Sequence, residues 1–426
     1  MDDYRQMWEE LGIDLEAHDG LLEVLPPLYE EVYLSQKGRP ARMAYFDNVF
    51  AEVHGMRIKE LVNHKKAGGL VVGTFCTYVP EELIVAIGGI AVGLCGGAEV
   101  APEAVLSYLP QNVCPLIKSS LGFKLAKVCP YYESCDLLVG ETTCDGKKKF
   151  YEILGELQPV YVMELPQKKG KADLSLWLEE IRNLASRLEE LSGRKITEEA
   201  LRNATKLVND KRRALLRLAE LRKDIPPVIS GRDALLVSQI AFYDDPRRLA
   251  AKVNELCDEL EKRREQGKYI GGAHKPRILM SGCPMALPNW KVVNAIETSG
   301  AVVAMDEMCT GIRYFRHLVD EDAGDLESMF SAIADRYLKI DCAVFTPNEE
   351  RVENIHSITR DYSIDAVVYY ALQFCDPYTI EAYKVEKSLR ELGVPMLYLE
   401  TDYSPGDAGQ LATRIEALLE MVGGSK

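Results

Sequence analysis

Residues 365–377 read DAVVYYALQFCDP. The run from Ala366 to Leu372 is wholly apolar, short, and rich in β-branched and aromatic residues. It has no alternation, which predicts a strand buried on both faces, as in a parallel sheet. It leads to Cys375, and Asp376-Pro377 then opens a helix, since proline lacks the amide donor that a first helical turn leaves unused. The same order recurs on both sides. LVVGTFC (70–76) ends at Cys76, and Pro80-Glu81-Glu82 starts the next helix. LLVGETT (137–143) leads to Cys144-Asp145-Gly146, and VYVME (160–164) is a further strand. RILMSG (277–282) leads to Cys283-Pro284, and AVVAMDEM (301–308) to Cys309-Thr310-Gly311. VPMLYLETDYS (394–404) precedes a closing helix over 408–421. Strands alternating with helices predict an α/β fold with parallel sheets covered on both faces.

Between these stretches the pattern changes. Apolar residues at 174, 177, 178, 181, 184, 185, 188 and 191 make a helical stripe. Helices are predicted again over 197–223 and 246–266, and Ser230, three residues before Asp233, caps another. The expected organisation is therefore an N-terminal helical segment (1–44) punctuated by Pro26, Pro27 and Pro40, a first α/β domain (45–166) opening with a helix over 45–66, a helical insertion (167–270), and a second α/β domain (271–426). The two α/β halves echo each other. TFC, NVCPLIKSSLG, DLLVGETTC and PVYVMELP in the first answer to SGC, DCAVFTPN, DAVVYYALQFC and PMLYLETD in the second. Cys114 and Cys144 are 30 residues apart, Cys342 and Cys375 33.

Composition bounds the function. Lys plus Arg is 51 and Asp plus Glu 66, so the formal charge of −15 disfavours nucleic acid and anionic membranes as partners. No run of 18 apolar residues predicts a membrane span, and the acidic start MDDYRQMWEELGID is unlike a signal peptide. A cytoplasmic location is expected. There, 11 cysteines point to metal binding or catalysis rather than disulfides. No Cys-x-x-Cys pair occurs, which disfavours zinc ribbons and ferredoxin-type runs. With six histidines in the chain, a distributed thiolate site favours iron–sulfur, zinc or Cu(I). No Gly-x-Gly-x-x-Gly or phosphate-loop motif is present. Cys95, Cys129, Cys135 and Cys257 read as small packing residues. Cys76, Cys144, Cys283, Cys309 and Cys375 sit at the carboxyl ends of predicted strands, where open parallel sheets gather ligands. Cys114 precedes a helix, and Cys342 begins an apolar stretch.

The segments FCTYVPEELI (75–84), CPLIKSSLG (114–122), GETTCDGKKKFYE (140–152), VYVMELPQ (160–167), DEMCTGIRYF (306–315), AVFTPNEER (343–351), LQFCDPY (372–378) and LETDYSPGDAGQLATRIEALLE (399–420) resemble the 2-hydroxyacyl-CoA dehydratase and benzoyl-CoA reductase subunit family. The resemblance implies two Rossmann-like domains with an iron–sulfur cluster between them, a dehydratase-type 4Fe-4S cubane on Cys76, Cys114 and Cys375, and electrons injected by a separate ATPase that carries its own 4Fe-4S cluster. Cys144, Cys283, Cys309 and Cys342 exceed that set. The excess is similar to the branch of double-cubane-cluster (8Fe-9S) proteins, homodimers that reduce small molecules. Which six of the seven cysteines are ligands stays open: the repeat favours Cys283 and Cys342, strand-end placement Cys283 and Cys309. A single-cubane dehydratase or reductase subunit, and a non-enzymatic electron-storage protein, are the alternatives.

Other residues near these motifs carry two readings each. Glu81 and Glu82 either aim a carboxylate at the site or complement a helix dipole. Lys118, Ser119 and Ser120 either bond to a cluster or substrate or face solvent. Lys147, Lys148 and Lys149 are either a docking patch or a solvated face. Asp306, Glu307, Arg313 and His317 surround Cys309, and His317 suits proton transfer by its pKa. Tyr78 is cleft lining or core. Glu82, Lys118 and His317 are the catalytic candidates.

Overall fold

The computed structural model of the chain describes residues 4–94 and 96–423, so Cys95 lies outside the described residues. Among the described residues, eight strands form two four-stranded parallel sheets. β1 (Val71–Thr74), β2 (Ile90–Gly93), β3 (Leu137–Glu141) and β4 (Val160–Met163) lie in the order β2-β1-β3-β4. β5 (Arg277–Gly282), β6 (Val302–Glu307), β7 (Ala366–Leu372) and β8 (Met396–Thr401) lie in the order β6-β5-β7-β8. The two sheets thus share one winding: the chain leaves the first strand for one edge, then crosses to the other side. This makes the two halves Rossmann-like, and the cysteine echo in the sequence has its counterpart in the topology. The strand order reverses between β1 and β3 and between β5 and β7. Those are the points where open α/β sheets leave a crevice beyond the carboxyl ends of their strands.

Burial explains why the central strands lack alternation. Every residue of the central strands β1, β3, β5 and β7 is buried, and so is every residue of the edge strand β6. The edge strands β4 and β8 are only half covered. β2 was not expected from the sequence: its four residues sit in a glycine-rich stretch, and only pairing with β1 extends them.

Helices Lys171–Ser192, Glu198–Leu221, Gly231–Ile240 and Pro246–Glu265 run between β4 and β5. Ser230 caps the third as expected, its Oγ accepting from the Asp233 N–H at 3.0 Å. Two expectations fail. The helix over 45–66 is two helices, Met43–Ala51 and Met56–Lys66. They break at Gly55, where a Cβ would lie 2.4 Å from the Tyr4 ring. Pro26 and Pro27 do not punctuate: helix Leu15–Tyr29 contains both and continues as a π-helical turn, Glu30–Leu34. Proline gives up its own amide donor, but its carbonyl still accepts, and the Glu30 N–H bonds back to Pro26 O. Among the described residues no helix is long and apolar enough to cross a membrane.

Candidate functional site

The carboxyl ends of the strands deliver the cysteines. Cys283 follows β5 directly, Cys76 and Cys309 lie two residues past β1 and β6, and Cys144 and Cys375 three past β3 and β7. The turn out of β5 depends on Gly282, with φ +127° and a position where a Cβ would lie 1.9 Å from Tyr370 O. No side chain fits there, and the backbone closes with the Cys283 N–H on Tyr370 O at 2.9 Å. Cys114, Cys144 and Cys375 are the N-cap residues of helices Pro115–Leu125, Asp145–Gly155 and Asp376–Glu391. The positive end of a helix favours a thiolate.

The thiols fall into two groups. Cys309 and Cys342 both lie near enough to act on Cys76; burial first, and then Cys309, pushes the Cys342 thiol up to about 11. In the second group Cys375 lies against both Cys114 and Cys283, and Cys144 lies beside Cys114 and Cys375. Glu141 and Lys147 act on Cys76 of one group and Cys144 of the other, so they stand between the two. Lys147 is ion-paired to Glu141 and reaches Phe75 O at 3.5 Å, while Thr143 donates to the same carboxylate oxygen at 3.0 Å. Among the described residues no three His, Cys, Asp or Glu side chains gather tightly enough for a single metal ion. An all-sulfur donor set spread over two sides of a space suits a polynuclear group, in which each iron takes its own thiolate.

A cavity reaches the first group. Cys76, Thr77 and Lys147 from the first half, Cys309 and Leu287 from the second, and Phe242 from the helices between them line it. Its remaining wall is mainly apolar. The Thr77 hydroxyl is buried beside it with no hydrogen-bond partner.

Behind Cys309 and Cys342 lies a buried ionic layer. Arg313 donates to Gly282 O at 2.9 Å, to Glu307 O at 2.8 Å and to the Glu307 carboxylate at 2.5 Å. It also donates to Cys309 Sγ at 3.5 Å and to the Tyr378 hydroxyl, which lies 3.7 Å from Cys342 Sγ. Arg351 pairs with Glu307 and Glu381. Burial disfavours the charged form of an arginine, but the carboxylates opposite it prevail, and Arg313 and Arg351 stay firmly protonated.

The three catalytic candidates do not meet at this site. Glu82 is fully buried, accepting from Arg212 at 2.6 Å and Tyr337 at 2.8 Å. Its neighbour Glu81, paired with Lys211, instead lines a second pocket with Cys76 and Thr77. Lys118 is half-buried, donates to Gln111 O at 3.2 Å and lies in a pocket with Asp402 and Ser404. His317 is half-buried, and burial followed by Arg316 and Arg336 pulls its pKa down to about 4, so it is neutral at pH 7. Ser119 Oγ is buried without a partner, and Ser120 Oγ bonds Leu116 O. Tyr78 is core, its hydroxyl on Ile340 O. Asp306 pairs with Arg222. Of the lysine run, Lys148 and Lys149 pair with Asp145 and Glu152 on the surface, and Lys147 turns inward. Cys129, Cys135 and Cys257 pack in or against the core, apart from the seven. Sequence reading missed Thr77, Phe242 and the Arg351–Glu381 pair. Thr77, Arg351 and Tyr378 carried a signal only as members of the motifs FCTYVPEELI, AVFTPNEER and LQFCDPY.

Two Rossmann-like halves thus bring their thiols together from the ends of their strands. The sequence profile of the family described as "2-hydroxyglutaryl-CoA dehydratase, D-component" matches residues 76–422. The chain belongs to this family of 2-hydroxyacyl-CoA dehydratase and benzoyl-CoA reductase subunits. YjiM of Escherichia coli (strain K12) is 39% identical over 382 residues, 89% of this chain and 98% of its own. The (R)-2-hydroxyglutaryl-CoA dehydratase subunit beta of Acidaminococcus fermentans is 24% identical, covering 84% of this chain and 94% of its own. A benzoyl-CoA reductase subunit of Thauera aromatica is 22% identical, covering 80% and 87%. The Acidaminococcus relative is a subunit of a dehydratase and the Thauera relative a subunit of a reductase.

Proposed function

We propose that the chain is an iron–sulfur reductase of the double-cubane 8Fe-9S type. It would work in the cytoplasm as a homodimer and reduce a small molecule with electrons from a separate ATP-hydrolysing activator that carries a 4Fe-4S cluster. The observation that carries this reading is the division of the thiols into two groups across one crevice. Cys76, Cys309 and Cys342 would hold one half, and Cys114, Cys283 and Cys375 the other, with Cys144 adjacent. Bound there, the group would supply low-potential electrons singly to a substrate.

The chain's own contribution is containment and orientation. Burial of Cys114, Cys283, Cys309 and Cys342, and half-burial of Cys76, Cys144 and Cys375, limit contact with water and oxygen. Phe242 and Leu287 give the cavity an apolar wall that suits a small unsaturated substrate. Thr77 Oγ1 and Lys147 Nζ offer the polar atoms that would fix its orientation, and Glu141 holds the lysine in place.

A single-cubane subunit of a CoA-ester dehydratase or reductase is the second reading, favoured by the names of the relatives. It needs Cys76 together with Cys114 and Cys375, whereas Cys76 keeps company with Cys309 and Cys342. A closed electron-storage protein would not need a cavity at Cys76 and Cys309. The test is iron and acid-labile sulfide on protein purified without oxygen. About eight irons per chain supports the double cubane, about four moves the reading to the CoA-ester enzymes, and none sinks both. In the same preparation Cys309→Ser and Cys283→Ser should each lose iron, and Cys257→Ser should keep it.

A further inference from the structure

The two thiol groups differ in what touches their sulfur atoms. In the group of Cys114, Cys144, Cys283 and Cys375, the donors from outside the group are main-chain amides. Leu372 N–H reaches Cys283 Sγ at 3.4 Å, Leu116 and Ile117 serve Cys114, and Lys147 N–H serves Cys144. In the other group the Val344 amide serves Cys342, and the remaining donors are side chains. Arg313 Nη1 lies 3.5 Å from Cys309 Sγ and also donates to the Tyr378 oxygen. That oxygen's lone pair is then engaged by the guanidinium, and its own proton is left for Cys342 Sγ, 3.7 Å away. A single guanidinium thereby serves two thiols, one directly and one through a polarised hydroxyl.

The arrangement is rigid. Arg313 is held by Gly282 O, Glu307 O and the Glu307 carboxylate, and Tyr369 donates to the Tyr378 carbonyl at 3.0 Å. The side chains of Arg313, Glu307, Tyr369 and Tyr378 are all buried. Net charge is not the agent, because Glu307 and Asp341 answer Arg313, and Glu307 and Glu381 answer Arg351. What distinguishes this side is the kind of donor aimed at sulfur: a guanidinium, and a hydroxyl polarised by it, make charge-assisted bonds stronger than those of neutral amides. Such bonds draw electron density from a metal-bound thiolate and favour the more electron-rich, reduced form.

We infer that Arg313 and Tyr378 are positioning residues that raise the reduction potential of the half held by Cys76, Cys309 and Cys342 above that of the half held by Cys114, Cys283 and Cys375. The inference rests on the two-group reading above. Cys76 and Cys309 are the thiols that line the cavity. An electron given up singly by the low-potential donor therefore comes to rest on the side where substrate is bound.

The test is a redox titration with titanium(III) citrate, followed by electron paramagnetic resonance, on protein purified without oxygen. Wild type should show two one-electron transitions at separate potentials. Tyr378→Phe removes one oxygen and keeps the ring; it should lower the upper transition and leave the lower in place. Arg313→Lys, which keeps the charge and loses the fork, should lower the upper transition further. The larger shift should be about tenfold in equilibrium constant, about 59 mV for one electron. Iron per chain should stay constant. Unchanged potentials in a fully loaded Tyr378→Phe would overturn the inference and leave the two-group reading standing, and so would equal shifts of both transitions, or a single transition in wild type. A wild-type chain without iron would remove the reading and the inference together. Should Arg313→Lys not fold, Tyr378→Phe decides alone.

Discussion

Replacing Glu82 by alanine separates a structural from a catalytic role for a residue that sequence motifs place next to Cys76. In the fold Glu82 is the anion for a buried cationic cluster. Arg212 lies 2.6 Å from one of its oxygens and Tyr337 2.8 Å from the other. Arg336 stacks on Tyr337 with its guanidinium carbon 4.3 Å from the ring centroid, and its side-chain hydrogen bonds go to the carbonyls of His317 and Tyr314. Burial first, and then Arg212, pulls the Arg336 pKa down to about 10, which is the mark of a site already crowded with positive charge. Without Glu82, Arg212 keeps Asn209 Oδ1 at 3.2 Å and Tyr337 at 3.0 Å but faces no buried carboxylate at contact. Removing one partner of a buried pair costs about 3–5 kcal/mol, and the second cation places Glu82→Ala at the upper end. That is a large part of the ~5–15 kcal/mol that holds a domain together. Urea unfolding at constant m reads the loss directly. Glu82→Leu with Arg212→Met should recover most of it, because replacing both charges by apolar groups of similar volume is close to neutral. An unchanged midpoint in Glu82→Ala, or a double variant no more stable than the single, would refute this account of Glu82. A catalytic Glu82 would instead show full stability with activity lost.

Acid should weaken the fold through its histidines before the carboxylates titrate. Burial pulls His54 down to about 3, lowers His18, which lies 2.9 Å from it, and with neighbouring arginines takes His317 to about 4. These rings are neutral when folded and take a proton near pH 6.5 when unfolded. Stability is full above 6.5 and falls as the pH drops, by up to about 1.4 kcal/mol per pH unit for each ring, until the folded pKa values are reached. Urea midpoints between pH 7 and 5 check this, and His54→Gln should flatten the slope. Gly282→Ala should destabilise by more than about 1 kcal/mol, since its φ is +127° and Tyr370 O occupies the Cβ position; a midpoint equal to wild type would count against the tight turn into Cys283. Lys147→Met should weaken binding of a small substrate while iron content changes little, because Lys147 lines the cavity; the urea midpoint should fall as well, because buried Glu141 loses its ion-pair partner. A KM equal to wild type would exclude it from that role.

Much of the frame was legible because its causes are local. A strand buried on both faces is mostly apolar, with any charged residue at its end paired, so β1, β3, β5, β6 and β7 could be read from short runs such as AVVYYAL. Ser230 before Asp233, and the stripe of helix Lys171–Ser192, are equally local. β2 was not legible, because four residues among glycines have no propensity of their own and are extended by pairing with β1. The break at Gly55 depends on the Tyr4 ring, about fifty residues away in sequence, and no helical window contains it.

For the site, the sequence determined the parts list: seven cysteines outside the packing set, five of them at strand ends, in two halves that repeat one winding. Their partition was decided only by tertiary structure. The repeat and the strand ends each proposed a set, but which sulfur faces which depends on how two sheets and the helices between them are set against one another. The same holds for the lysine run, where one residue turns in to Glu141 and two stay in water. Adjacent acids diverge as well: Glu81 reaches a pocket beside Cys76, while Glu82 is committed to Arg212. Sequence dictates which groups can ionise or bind metal, because that is covalent chemistry. Burial and the nearest opposite charge decide what each one does, and for Glu82 both are set by residues more than a hundred positions away.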